Sequence, residues 1–122
     1  MGIHQTTASR VIKKVSNAIA ALWPRYVKMP SNDEIYQTKN GLFQIARFQR
    51  VIGCIDGKHI RIRSPGGEDA EVFRNQKSYF SINTQIVCNS ALKIMDIVAD
   101  WPGSTQDSKI FNNCRLNRNR RL

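Results

Sequence analysis

The sequence predicts an α/β fold in which an N-terminal helical segment precedes a three-stranded sheet with further helices. Two observations predict this class: apolar residues recur every three or four positions as far as about residue 22, and apolar and polar residues alternate from Val51 onward. A chain of 122 residues with 41% hydrophobic residues can bury the core of one domain. We divide it into a helical segment at 1–23, a linker at 24–31, an α/β domain at 32–114 and a basic tail at 115–122.

The charges are strongly unbalanced, with 19 Lys and Arg residues against 9 Asp and Glu residues and a net charge of +10. Residues 1–28 hold five basic and no acidic groups, and residues 108–122 hold another five and none, whereas residues 65–107 hold six acidic and three basic groups. Basic ends of this kind indicate contact with a polyanion such as DNA, although an excess of positive charge can also serve solubility alone.

The sequence indicates neither a membrane nor an oxidising compartment. No apolar run reaches the ~20 residues of a membrane-spanning helix, so we expect a soluble intracellular protein without a membrane partner. Cys54, Cys88 and Cys114 lack the close pairing of a zinc site, and we expect them to be buried thiols.

The N-terminal segment is predicted to form an amphipathic helix over residues 4–22, with Val11, Val15 and Ile19 on one side. Its polar start resembles the turn and second helix of a helix-turn-helix module, whose first helix would be missing. The alternative is an ordinary surface helix with a basic outer face. The residues of this helix that we predict to contact DNA are Arg10, Lys13 and Lys14.

The second helix is predicted from a start signal. Ser31 and Glu34 have the spacing of a capping box, in which the two residues satisfy backbone groups at a helix N-terminus. Apolar residues continue the helix to about Phe48, although Gly41 in its middle weakens the pattern.

Strands follow from Val51. The apolar runs VIGCID and HIRI come first, and YFSINTQIVC then alternates, with Ile82 and Ile86 on its apolar side. An Asn-Ser dipeptide favours a turn, so residues 79–100 are predicted to form a hairpin. The next Pro-Gly dipeptide ends the sheet, and a helix is predicted to start at Ser104 or Thr105.

Two aspartates stand where α/β folds place reactive groups. Asp56 follows an apolar run and precedes Gly57, and Asp107 lies where a strand gives way to a helix. Two such carboxylates can hold a hard divalent cation that keeps positions open for water and phosphate oxygens. Metal-assisted cleavage of a phosphodiester is the chemistry that fits, whereas either aspartate alone would more simply serve a turn or a helix cap.

Three segments resemble, in order, the nuclease domain of PIF/Harbinger transposases and of the nucleases derived from them: GCIDGKHIRI, FRNQKSYFSINTQIVCNS and IMDIVADWPGSTQDSKIF. The resemblance covers about residues 35–114, with a weaker match at 1–22 to the helix-turn-helix that precedes the nuclease in this family. It implies that residues 32–114 form part of an RNase H-like nuclease core of the DDE type. Such a core cuts DNA with a divalent cation, Mg²⁺ or Mn²⁺.

The resemblance also implies site residues. Asp56 matches the first catalytic, metal-binding carboxylate, and Asp107 matches the second. The family's further acidic ligands lie downstream, in a segment absent here, so we expect the 122 residues alone to be inactive. Arg74 and Lys77 stand where the family is basic and are predicted to contact the DNA backbone, with a solvated loop as the alternative.

The chain departs from the family pattern at three positions, where Lys58, Ser78 and Gln106 replace a common Thr, Gly and His. Gln106 can form hydrogen bonds but cannot exchange a proton near neutral pH. His59 is kept, and it could orient Asp56 or contact phosphate, with a structural role as the alternative.

Asp96 and Asp100 are two further carboxylates in the predicted hairpin. Neither matches a catalytic position of the family. We therefore expect both to be solvent-facing strand residues.

Three functions remain open. The first is a metal-dependent DNA endonuclease of the Harbinger transposase-derived type. The second is a non-catalytic DNA-binding remnant of a domesticated transposase, carried by residues 4–22 and the tail. The third is a fragment that binds a partner chain, since a helix-turn-helix regulator partners the nuclease in this family. The RNRR sequence of the tail favours the nucleus, with the cytoplasm as the alternative.

Overall fold

A computed structural model describes residues 2–118. These residues have a mixed α/β fold with five α-helices and a three-stranded antiparallel sheet in the order β1-β2-β3. The elements in chain order are α1 Gln5–Ala21, α2 Trp23–Tyr26, α3 Asn32–Ala46, β1 Cys54–Arg61, a 3₁₀-helix Glu68–Phe73, β2 Ser81–Cys88, β3 Ile94–Pro102, α4 Asp107–Asn113 and α5 Arg115–Arg118.

The predicted N-terminal helix is confirmed as α1, but it buries none of its side chains. The Nδ1 atom of His4 accepts a hydrogen bond from the backbone N–H of Thr6 at 3.4 Å and caps the helix. The apolar residues of α1 remain between 48% and 66% exposed, from Leu22 at its end to Ile12. The apolar pattern therefore correctly predicts the helix, while nothing among residues 2–118 covers its apolar side.

The segment predicted as a linker is partly helical, because α2 lies at its start. Pro24 sits in the first turn of α2, where the missing N–H of proline costs no helical hydrogen bond. The chain leaves α2 at Val27 in an extended conformation and reaches α3 four residues beyond Lys28.

The capping box at the start of α3 is confirmed. The Glu34 carboxylate accepts hydrogen bonds from the backbone N–H of Ser31 at 2.9 Å and from its hydroxyl at 3.1 Å. These two bonds lower the pKa of Glu34. Gly41 does not interrupt the helix, and a Cβ there would collide with the side chain of Ser90 in the β2–β3 turn. The glycine thus lets that turn approach the helix closely.

The sheet contains the predicted hairpin as β2 and β3, and one strand where two apolar runs were predicted. β1 is continuous from Cys54 to Arg61, and it pairs with β2 from Cys54 opposite Cys88 to Arg61 opposite Ser81. The Asn89 side chain organises the β2–β3 turn by accepting N–H groups of Ala91 and Lys93, both at 3.0 Å. This is the turn chemistry that the sequence predicts.

The polar side of β2, and not its apolar side, is the more deeply buried. Ser81, Asn83 and Gln85 are 0%, 1% and 3% exposed, whereas Ile82 and Ile86 are half-buried. The polar side is buried because α4 packs on that face of the sheet, with side chains such as Ile110 at 0% exposure. Hydrophobicity alone does not predict which face a short strand presents to a helix.

Two expectations about burial are wrong. Asp96 is 2% exposed instead of facing solvent, because it shares the covered face with Val87, its partner across the ladder. Cys114 is buried as expected, but Cys54 is exposed because it begins an edge strand; all three cysteines are free thiols.

Within residues 2–118 no helix is long and apolar enough to cross a membrane. The tail that we predicted at 115–122 begins as α5, and its last four residues, which include most of RNRR, lie outside the described residues.

Candidate metal-binding site

Asp107 is the first residue of α4, where the chain turns back onto the sheet. The side-chain amide of Asn83, in the centre of β2, donates to Asp107 Oδ1 at 2.8 Å and to the backbone oxygen of Thr105 at 2.9 Å. Because Asn83 is 1% exposed and strand-bound, these two bonds fix the carboxylate relative to the sheet. The helix starts two or three residues later than the sequence predicts, with Gln106 as its N-cap.

Gly57 of β1 lies directly against this carboxylate. A Cβ built on Gly57 would be 3.0 Å from Asp107 Oδ2 and 3.1 Å from both Oδ1 and Cγ. A side chain at this position would push the carboxylate away, so the glycine permits the contact. Asp107 therefore sits beside the backbone of β1 at the residue that follows Asp56.

Asp56 is exposed and pairs with Ile86 in the β1–β2 register. Because successive side chains of a strand point to opposite faces, Asp56 projects from the face opposite to Gly57. Its carboxylate makes no hydrogen bond within residues 2–118. The carboxylates of Asp56 and Asp107 therefore lie on opposite faces of β1, which is an edge strand in this part of the chain. Joint binding of one ion by Asp56 and Asp107 stays a prediction.

The donor set fits a hard divalent cation. Asp107 contributes carboxylate oxygen, and the neighbouring Asn83 Oδ1 is a buried oxygen without a hydrogen-bond partner in the described residues. Mg²⁺ commonly binds through one or two carboxylates and completes its shell with water and phosphate oxygens. Residues 2–118 hold no group of three or more His, Cys, Asp or Glu side chains that could enclose an ion by themselves.

A cleft of about 260 Å³ opens beside Asp107. His59 on β1 and Lys77 in the loop before β2 belong to its wall. His59 Nδ1 lies 3.1 Å from Ser81 Oγ, and the Asn75 side-chain amide donates to the same oxygen at 3.0 Å. The complete lining is His59, Asn75, Gln76, Lys77, Gly103, Ser104, Thr105, Gln106 and Asp107.

The residues predicted to contact DNA lie in two separate regions. Arg10, Lys13 and Lys14 are exposed on α1, and Lys77 is exposed at the cleft. Arg74 instead forms hydrogen bonds within its own loop.

The Arg74 guanidinium donates to both carboxylate oxygens of Glu71, at 2.7 and 2.9 Å, and to the backbone oxygen of Ser78 at 3.1 Å. It also stacks over the Phe80 ring at 4.4 Å. The pairing lowers the pKa of Glu71 and raises that of Arg74. These bonds use three of the five N–H groups of the guanidinium, and the contact of Arg74 with DNA stays a prediction.

Sequence reasoning missed Asn83 and assigned no role to the contact at Gly57. The available signal was the period-two polar series Ser81, Asn83 and Gln85, which marks a polar strand face. That signal is equally typical of a solvent-facing strand, so only the packing of α4 distinguishes the two.

The sequence of the sheet and of α4 matches a family of endonucleases. Residues 55–121 match the family described as DDE superfamily endonuclease, and the chain belongs to this family. The matched region contains both aspartates and almost the whole sheet.

The relatives confirm the resemblance to Harbinger-derived nucleases. Over 117 residues the chain is 29% identical to "Putative nuclease HARBI1" of Rattus norvegicus and 28% identical to the Homo sapiens protein of that name, covering 95% of this chain and 33% of each relative. It is 27% identical over 114 residues to "Protein ALP1-like" of Arabidopsis thaliana, covering 92% of this chain and 27% of that protein. The chain thus spans about a third of the length of these relatives. No solved structure matches it.

Proposed function

We propose that this chain forms part of a divalent-metal-dependent DNA endonuclease of the Harbinger transposase-derived type, and that its sheet and α4 belong to an RNase H-like core. The observation that carries the proposal is the Asp107 carboxylate, which Asn83 holds against Gly57 of β1. Membership of the DDE superfamily endonucleases, which generally use divalent metals, supports the reaction class. Because the chain spans a third of its relatives, the activity belongs to the protein as a whole.

Some residues of the chain would hold the metal ion, and others position the carboxylate that binds it. Asp107 and Asp56 would hold Mg²⁺ or Mn²⁺, and Asn83 keeps one oxygen of Asp107 occupied while the other stays available. Gly57 leaves the space in which that carboxylate sits. When bound, a divalent cation lowers the pKa of an attacking water and offsets the charge that develops on the phosphodiester.

The experiment is a comparison of Mn²⁺ binding and DNA nicking by the protein and by its Asp56→Asn and Asp107→Asn variants. Calorimetry with Mn²⁺ reports the site, and relaxation of supercoiled plasmid reports cutting. We expect each variant to lose more than the roughly 10- to 100-fold in affinity that removal of an outer-shell partner costs. Asp100→Asn, which changes an exposed aspartate on β3, is the matched control. Unchanged Mn²⁺ affinity and nicking in Asp107→Asn would reject the site.

A DNA-binding function without catalysis is the second candidate, and α1 favours it. This helix buries no side chain and carries Arg10, Lys13 and Lys14 on its surface. Such a function predicts DNA binding that weakens steeply with salt, without cleavage, and that is indifferent to Asp107→Asn. An electrophoretic shift assay across a salt series separates it from the nuclease.

A partner protein with a helix-turn-helix and a nuclear location also stay proposals. They rest on the family resemblance and on the basic residues of the tail. Co-purification without DNA would test the partner, and imaging of a tagged protein would test the location.

A further inference from the structure

The cleft beside Asp107 contains a histidine whose protonation pattern can be assigned from its neighbours. The assignment begins at Asn75, which is 6% exposed. Its Oδ1 accepts the backbone N–H groups of Lys77 at 2.9 Å and Tyr79 at 3.4 Å. Because Oδ1 is the acceptor of these two bonds, the other side-chain atom of Asn75 must be the NH₂ group that donates to Ser81 Oγ.

The direction of the hydrogen bond between Ser81 and His59 follows from the bond that Asn75 donates. The Ser81 hydroxyl is 0% exposed and already accepts the Asn75 bond, so its own proton must find an acceptor. Within the described residues, that acceptor is His59 Nδ1 at 3.1 Å. A neutral imidazole that accepts at Nδ1 carries its proton on Nε2. His59 therefore offers an Nε2–H donor beyond this buried relay.

Lys77 supplies a second donor to the wall of the cleft. The backbone N–H of Lys77 donates to Oδ1 of Asn75, which holds the Lys77 backbone in this turn. No carboxylate forms an ion pair with the Lys77 ammonium in the described part of the chain. The wall of the cleft thus carries hydrogen-bond donors and a positive charge as well as the Asp107 carboxylate. A ligand that spans the cleft needs an anionic group that accepts hydrogen bonds from these donors. Next to it the ligand needs a second group that can share a metal ion with the Asp107 carboxylate.

We propose that His59 Nε2–H and the Lys77 ammonium bind one phosphodiester group of a DNA strand, adjacent to the phosphodiester presented to Asp107. The identity of the strand as DNA rests on the proposed function. A phosphate oxygen accepts from both donors, and the excess positive charge of the chain favours a polyanion. No Phe, Tyr or Trp among the described residues lines the cleft, so it lacks the stacking surface that a base would use.

The test measures binding without metal, and so does not depend on cleavage. A fluorescent duplex oligonucleotide is titrated in EDTA by anisotropy at several salt concentrations. We expect Lys77→Ala to reduce the slope of log affinity against log salt by about 0.9, the value for one neutralised phosphate. Lys93→Ala, which removes the same charge from the turn at the other end of β2, should leave the slope unchanged.

Single methylphosphonates, each of which removes one phosphate charge, identify the contacted group. In the unmodified protein, one position should weaken binding by about tenfold, as expected for a charge-assisted hydrogen bond. That effect should vanish in the His59→Ala, Lys77→Ala double variant and persist in Lys93→Ala. If every methylphosphonate effect is the same in the double variant and in the unmodified protein, the proposal is wrong.

The relay has its own readout. Nitrogen NMR should show His59 protonated at Nε2, and Ser81→Ala should allow the Nδ1–H form to appear while the Lys77 salt slope is retained. A His59 protonated at Nδ1 in the unmodified protein would overturn the assignment. A protein that nicks DNA with an unchanged slope in Lys77→Ala rejects only the phosphate subsite, whereas a reduced slope without nicking rejects only the nuclease.

Discussion

The side-chain amide of Asn83 donates to the carboxylate of Asp107 across 2.8 Å and joins the centre of β2 to the first turn of α4. A second bond from the same amide reaches the backbone of Thr105 at 2.9 Å, so one strand residue holds both the loop and the carboxylate. The direction of the carboxylate is thereby set by the sheet as well as by α4, on which Asp107 stands.

Replacement of Asn83 by alanine should weaken both the fold and the site. The change removes both hydrogen bonds that Asn83 donates, and at about 0.5–1.5 kcal/mol for each bond we expect a loss of about 1–3 kcal/mol in the free energy of unfolding. Mn²⁺ affinity should fall by roughly 10- to 100-fold, because the carboxylate loses its orienting partner. Urea unfolding and Mn²⁺ calorimetry measure the two effects. Asn113→Ala removes an exposed hydrogen bond of a side-chain amide within α4 and is the control. Unaltered Mn²⁺ affinity in a destabilised Asn83→Ala would limit this residue to a structural role.

Gly57→Ala should damage the site while sparing the fold. The added methyl group would lie 3.0–3.1 Å from three atoms of the Asp107 carboxylate, which must shift by a few tenths of an ångström. Gly57 does not have the positive φ that alanine adopts poorly, so the strand itself can accept the change. We expect about a tenfold loss of Mn²⁺ affinity with a nearly unchanged melting temperature. Gly2→Ala, where a methyl group meets nothing, provides the comparison. A variant with unchanged affinity would show that the carboxylate can bind the ion from a shifted position.

Local signals predict much of the fold because they act over a few residues. The capping box of Ser31 and Glu34 and the turn at Asn89 both form as predicted, since each depends on hydrogen bonds within four residues. Burial of the polar face of β2 could not be predicted in the same way. The partners of Asn83 lie more than twenty residues away, and only the return of α4 onto the sheet creates them.

The candidate site could likewise be predicted only in part from the sequence. Asp56 and Asp107 could be singled out because they follow recognisable strand and strand-to-helix patterns that resemble a family. The contact between Asp107 and Gly57 could not, because it depends on the three-dimensional path of the loop before α4. Arg74 shows the converse, since a basic residue that looks available in the sequence is bound to Glu71 three residues before it.

Glu34→Gln should lower stability at neutral pH and have no effect in strong acid. Hydrogen bonds from Ser31 hold the pKa of Glu34 below its ordinary value of 4.5, so the charged form stabilises the folded state. This contribution is present above the pKa of the unfolded chain and is lost as the pH falls through the lower folded pKa. Thermal unfolding from pH 7 to pH 2 measures it, with Glu68→Gln as an exposed control. A difference between Glu34→Gln and the unmodified protein that persisted at pH 2 would contradict the carboxylate as its source.

Asp96 should show the opposite dependence on pH. Burial raises its pKa above the ordinary 3.8, although the charge of Arg115 and the N–H of Ile97 partly oppose this shift. A carboxyl with a raised folded pKa binds its proton more readily in the folded state, so its contribution to stability improves as the pH falls through that pKa and is complete below the unfolded pKa. Above the folded pKa, the protein bears the cost of a buried charge with one unpaired oxygen.

Asp96→Asn should therefore stabilise the protein at pH 7, because the amide carries no charge that burial disfavours. The new amide group can donate to Gln85 Oε1, which is also buried without a hydrogen-bond partner in the described residues. Gln85 lies diagonally across the β2–β3 ladder from residue 96, on the same face. Urea unfolding at a series of pH values should show the gain at neutral pH shrinking towards zero below pH 3.8, where Asp96 is protonated in both states. Asp100→Asn, on the same strand but exposed, should change stability little at any pH. If Asp96→Asn is instead less stable at pH 7, attraction to Arg115 outweighs the cost of burying the charge, and Asp96 stabilises the folded chain.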